Sequence, residues 1–126
     1  KNMPSNLDKL IIKKGFSFLK KLNSYDHTQA LVINNDRILA LEKKRGTKHM
    51  INSIKKYKNK RNILIKIPKL KQDLRADLPT IGMDTLKDCK KFGIKGIAVK
   101  ANQNIFLNKK KSIKFANRNK IFVIAI

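Results

Sequence analysis

Six short apolar runs, separated by lysine-rich stretches, constrain the fold of this chain more than any other feature of it. They occupy residues 30–33, 38–41, 62–67, 96–99, 105–107 and 121–126. Runs this short and this rich in Ile and Val suit strands, and none approaches the roughly 20 residues of a membrane span. Asn34, Asn35 and Asp36 between the first two predict a β-hairpin. The last run is continuously apolar and is expected at a buried position in the sheet.

The intervening segments have helical periodicity. Residues 5–22 predict a helix with Ser5 as N-cap and Leu7, Leu10, Ile11, Phe18, Leu19 and Leu22 as its apolar stripe. Gly15 within it predicts close packing or a kink, and residues 23–28 read as a polar connection. A basic amphipathic helix can lie on a membrane, but packing on a sheet is the expectation here. Met50, Ile51 and Ile54 mark a second, short helix with Thr47 as its N-cap. A third surrounds Leu86 and Cys89 and ends at Gly93. A fourth spans 109–119 with Ile113, Phe115 and Ala116 turned inward. The sum is one α/β domain over residues 1–126, with a mixed sheet of about six short strands flanked by about four helices.

Charge narrows the function classes. Thirty-one Lys and Arg stand against eight Asp and Glu, a net charge of +23 in 126 residues. Such a chain is drawn to polyanions: nucleic acid, an anionic leaflet or phosphorylated substrates. The predominance of Lys over Arg equally suits a solvated basic surface. Cys89 is single, so no disulfide framework exists, and a buried helical position is expected for it. His27 and His49 lack partners at metal-ligand spacing.

Against that background, four of the eight acids fall close together, at Asp73, Asp77, Asp84 and Asp88. The first two sit in the stretch from Lys66 to Gly82, which follows an apolar strand and precedes a helix. In α/β proteins that is where ligands usually bind. Two aspartates flanking Arg75 suit metal-dependent phosphate chemistry, since Mg2+ takes one or two carboxylates and leaves positions for phosphate oxygens. The same triplet also describes a surface ion-pair cluster among lysines. Asp84 and Asp88 are accounted for by the positive end of the helix they begin. Arg45, Gly46 and Thr47, with Lys43 and Lys44 before them, form a turn into a helix N-terminus suited to an anion.

The stretch Lys66-x-Pro68-Lys69-x-x-Gln72-Asp73-x-Arg75-x-Asp77-Leu78-Pro79-Thr80-x-Gly82 resembles the signature of the LpxI-type UDP-2,3-diacylglucosamine pyrophosphatases. Gly15, Asp26, Gln29, Ala30, Glu42, Gly46, Thr47 and Met50 before it also fit that family's pattern, as do Asp84, Thr85, Gly93, Gly96, Ile97, Phe122 and Val123 after it. The resemblance covers essentially the whole chain and corresponds to the family's C-terminal half. It implies a Mg2+-dependent hydrolase in lipid A biosynthesis. Water would attack the α-phosphorus of UDP-2,3-diacylglucosamine, giving UMP and 2,3-diacylglucosamine 1-phosphate. Asp73 and Asp77 would be the essential carboxylates and metal ligands, and Arg75 the third catalytic group. Lys66, Lys69, Gln72 and Thr80 would contact substrate, with Gly46 and Thr47 as an accessory anion site.

Implied partners are the family's N-terminal half and an anionic inner-membrane surface, with the protein cytoplasmic and peripheral. The pattern departs at two places: Arg45 and Lys48 stand where the family usually has acids around Gly-Thr, and Leu70 where it often has proline. The alternative is a basic module binding nucleic acid or anionic membrane without catalysis. Nucleic acid is the weaker partner, since two Tyr, six Phe and no Trp leave little for stacking bases. A third reading is a folded domain inactive until its other half is present.

Overall fold

The computed structural model describes residues 3–26, 30–35, 37–42, 46–54, 61–67, 80–101 and 105–126. In chain order these form α1 (Asn6–Asp26), β1 (Ala30–Asn34), β2 (Arg37–Leu41), α2 (Gly46–Ser53), β3 (Asn62–Lys66), β4 (Thr80–Ile81), α3 (Met83–Lys91), β5 (Ile94–Val99), β6 (Ile105–Phe106), α4 (Lys109–Arg118) and β7 (Phe122–Ala125). Five strands make a mixed sheet in the order β2-β1-β3-β5-β7. The hairpin strand β1 runs antiparallel to both β2 and β3, whereas β3, β5 and β7 are parallel. The expected α/β domain with a mixed sheet and four helices is what forms.

Alternation of side chains across the strands divides the apolar residues into two layers. Ala30, Val32, Leu64, Ile97 and Val99 pack under α2, α3 and α4, against Met50, Ile51, Leu86, Cys89 and Phe92. Leu31, Ile33, Ile63, Ile65 and Ala98 face α1 through Ile11, Ile12, Phe16 and Leu19. The sheet is thereby covered on both sides. Each fully buried Leu or Ile contributes roughly 1.5–3 kcal/mol relative to an exposed one.

Ser5 caps α1 as expected. Its hydroxyl accepts the Asp8 backbone N–H at 3.0 Å, and the Asp8 carboxylate accepts the Ser5 N–H at 3.0 Å. This reciprocal arrangement satisfies two donors that a helix start would otherwise orphan. The helix then continues four residues past Leu22, so residues 23–26 are helical rather than a connection. No break occurs at Gly15. A Cβ there would lie 2.1 Å from Cδ1 of Ile65, so the absent side chain lets the helix rest directly on β3. Gly96 does the same for the Phe122 ring, whose atoms come within 2.1 Å of where its Cβ would be.

Four local expectations are corrected. The buried arc of α1 is Ile11, Ile12, Phe16 and Leu19, while Leu7, Leu10 and Phe18 are exposed. Helical spacing is satisfied by either set, and the line of contact with the sheet decides between them. On α4, Ser112 and Ala116 are buried and Ile113 is not, because the Ser112 hydroxyl donates to the Leu107 carbonyl and turns that arc inward. β7 is an edge strand, with Ala125 and Ile126 exposed, although its composition suggested the interior. Residues 80–81, expected as part of a turn, form β4, which pairs in parallel with β6 as a separate two-stranded ribbon. The Leu107 N–H donates to the Ile81 carbonyl at 2.8 Å and closes that ribbon onto the start of α4.

Candidate functional site

The carboxyl ends of β3, β5 and β7 share one edge of the sheet, and the antiparallel hairpin brings the start of β1 and the end of β2 to the same edge. Ala30 pairs with Lys66, and the Glu42 N–H donates to the Ala30 carbonyl at 2.9 Å. The chain leaves the sheet here toward residues 43–45, 68–79 and 102–104. Ligands of open α/β sheets bind outside this edge, because strands end and helices begin there with free backbone groups.

Lys66 closes β3 and is half-buried. Burial pushes its ammonium below the usual 10.5, and the charge of Glu42 opposes that shift. Glu42 also accepts a short hydrogen bond from the Thr47 hydroxyl. The hydrogen bond ties the end of β2 to the start of α2, and the same carboxylate acts on Lys66 of β3 through its charge. Thr47 was expected to cap α2 with its side chain. The helix instead starts at Gly46, and the hydroxyl is turned back to Glu42. Gly46 sits at φ +86, a left-handed conformation that other residues adopt at a cost of roughly 1–2 kcal/mol.

Thr47, expected with Gly46 as an accessory anion site, and Lys66, expected to contact substrate, thus both border the Glu42 carboxylate. Glu42, the residue that joins them, was not among the expected site residues. Its position directly after an apolar run and five residues before Thr47 was the available signal. Thr80 opens β4 and is exposed. The chain between Lys66 and Thr80 is flanked by buried Ile67 and Ile81. Lys69, Gln72, Asp73, Arg75 and Asp77 lie in that span, outside the described residues, and Arg45 before α2 is also outside them. Lys48 is exposed on α2.

Among the described residues, no group of three His, Cys, Asp or Glu could hold a metal ion. Asp73 and Asp77, the aspartates expected as Mg2+ ligands, lie outside the described residues. His49 is exposed on α2. Cys89 is buried, and burial together with the charge of Asp88 pushes its thiol far up, so it stays protonated and inert. Asp84 lies in the first turn of α3 and Lys90 and Lys91 in its last, in the order the helix dipole favours.

Comparison with known proteins bears on the reading of this edge. The sequence model of the LpxI C-terminal domain family matches residues 1–124. The chain is also 26% identical over 123 residues to UDP-2,3-diacylglucosamine pyrophosphatase LpxI of Caulobacter vibrioides, an alignment covering 91% of this chain and 44% of that protein. It thus spans less than half the length of the curated relative. With 124 of its 126 residues matched, the chain belongs to the LpxI C-terminal domain family.

Proposed function

We propose that this domain carries the diphosphate-binding and hydrolytic groups of a UDP-2,3-diacylglucosamine pyrophosphatase acting in lipid A biosynthesis. The reading rests on a family match that runs through the whole acidic motif, combined with the emergence of that motif from the carboxyl end of β3. The relative's printed activity supplies the substrate class.

In this reading Asp73 and Asp77 are the residues that would hold Mg2+, and the ion would supply neutralising charge at the phosphate oxygens. Asp73 orients the attacking water. Arg75 takes the developing charge on phosphate oxygens, and Lys66, Lys69, Gln72 and Thr80 grip the diphosphate. The Gly46 and Thr47 backbone at the start of α2 offers N–H donors to a second anionic group. Lys66 suits this role because a diphosphate beside it would offset the burial that disfavours its charge. The products are UMP and 2,3-diacylglucosamine 1-phosphate. A diacylated substrate places the work at a membrane surface, with the protein cytoplasmic and peripheral. No helix among the described residues is long and apolar enough to cross a membrane. The family's N-terminal half is the partner domain.

The test is UMP release from UDP-2,3-diacylglucosamine with Mg2+, by this chain alone and with an LpxI N-terminal domain added. Release by the chain alone assigns the hydrolytic groups to these 126 residues. Release only with the added domain assigns a site completed at an interface. Absence of release from folded protein in both arms rejects the proposal, and Arg45 and Lys48 then become the changes to revert. Running the reaction in 18O-labelled water reads the attacked phosphorus. Label in UMP supports the α-phosphorus, and label in the sugar phosphate moves attack to the β-phosphorus.

A further inference from the structure

Helix α1 is amphipathic in a way that burial against the sheet does not exhaust. Its inner arc is consumed by Ile11, Ile12, Phe16 and Leu19. On the outer arc Leu7, Leu10 and Phe18 are 61%, 60% and 43% exposed, and Met3 just ahead of the helix is more exposed still. At 100° per residue these three side chains fall on one stripe. Leu10 and Phe18 help wall a shallow surface groove with Lys13, Lys14, Ser17 and Lys21. Contiguous exposed apolar side chains of this size mark an interaction surface.

The charge around the stripe selects the partner. Lys14 and Lys21 stand within it, Lys13 and Lys20 run along its margin, and all four are exposed. Among the described side chains of α1 the acid is Asp8, and it turns inward to Lys95 at 2.8 Å. Helix α4 provides a control within the same molecule. It carries Lys109, Lys110, Lys111, Lys114 and Arg118, yet Ile113 is its one large apolar side chain in the exposed class, at 38%. Charge alone does not distinguish the two helices, and the apolar stripe does.

We propose that the outward face of α1 is the surface by which this protein lies on an anionic lipid bilayer. Leu7, Leu10 and Phe18 enter the boundary between headgroups and acyl chains. The lysine stems lie along that boundary and their ammonium groups reach lipid phosphates. The C-terminal end of α1 leads through residues 27–29 to Ala30, at the carboxyl edge of the sheet. The inference deepens the peripheral-membrane part of the reading above. Its test contains no nucleotide sugar, so loss of one does not imply loss of the other.

The experiment is co-flotation of the 126-residue chain with vesicles of phosphatidylglycerol and phosphatidylethanolamine, against phosphatidylcholine alone. The variants are Leu10→Ser/Phe18→Ser and, on α4, Ile113→Ser. All three positions are exposed, and circular dichroism and thermal melts confirm the fold. The expected result is flotation of the wild type with anionic vesicles only. The α1 double variant should lose at least tenfold in partitioning, and Ile113→Ser should stay within twofold of wild type. Flotation of the double variant at the wild-type level overturns the proposal by leaving charge as the sole attraction. Absence of wild-type flotation also overturns it. So does a wild-type dimer, seen by light scattering, that the double variant splits, since a second copy would then cover this face.

Discussion

Two lysine–carboxylate constellations sit at opposite edges of the same sheet, and they do different things. At the amino edge, β3 and β5 pair Asn62 with Ile94 and then Ile63 with Gly96, so the register skips Lys95. Its ammonium meets the Asp8 carboxylate, which also closes the Ser5 capping box. Burial alone would raise the Asp8 carboxyl, but Lys95 and Ser5 outweigh it and hold it below its ordinary 3.8. Charge there is matched and locked. At the carboxyl edge, Glu42 is engaged by Thr47, and Lys66 is pushed down by burial with Glu42 only opposing the shift. A lysine in that state gains from an arriving anion. One edge uses its ion pair to fasten α1 to the sheet, and the other leaves a half-buried cation whose proposed partner is a phosphate.

The sharpest way to break this contrast is to remove one acid from each edge. Asp73→Ala should lower UMP release by roughly a hundred- to a thousandfold, with the melting temperature unchanged. Asp8→Ala should do the reverse, costing about 2 kcal/mol of stability through the lost cap and the stranded Lys95, with turnover per folded molecule preserved. Loss of folding in the Asp73 variant would instead favour the ion-pair cluster that the sequence also allowed.

Truncating the two lysines identically sharpens it further. Lys95→Met should cost about 2 kcal/mol in urea unfolding, because a largely buried carboxylate loses its partner. Lys66→Met should not lower stability, since it removes a charge that burial disfavours, yet it should weaken UDP binding about tenfold by titration calorimetry.

The pH dependence carries a smaller signal with a definite sign. The Asp8 carboxyl is depressed in the folded state, so its contribution is present above pH 4 and fades as pH falls through the folded value. The stability gap between wild type and Asp8→Asn should therefore be open at pH 7 and narrow by pH 3 in urea titrations. Smallest of all is Asp88→Ala, expected within about 0.5 kcal/mol and without a rate effect. A large rate loss there would move the site onto α3.

Much of this was legible in the sequence because it is local chemistry. The hairpin followed from Asn34-Asn35-Asp36, with Asn35 taking the left-handed conformation at φ 53. The Ser5 cap and the stripe of Met50, Ile51 and Ile54 needed only neighbours in the chain. What failed required knowledge of packing. The pattern of α1 contains two apolar stripes, and which one is buried depends on where Gly15 lets the helix touch Ile65. The edge position of β7 is a property of strand order, which composition does not encode. The two-residue strand β4 is too short to leave a period, whereas its partner β6 falls inside the apolar run read as a strand at 105–107. At the candidate site, Gly46, Thr47 and Lys66 were named from the motif, while Glu42 emerged only once β2 and β3 were seen to end together. Asp73, Arg75 and Asp77 stand on the motif and the family match, since they lie outside the described residues.

The most direct test of the central claim is to map UDP binding on the isotope-labelled chain by amide NMR in the presence of Mg2+. The account predicts shift changes at Gly46, Thr47, Lys66 and Thr80 and through residues 69–77, with Asp8 and Lys95 unmoved. Changes centred on the amino edge around Asp8 and Lys95, or spread evenly over the lysine surface, would contradict it.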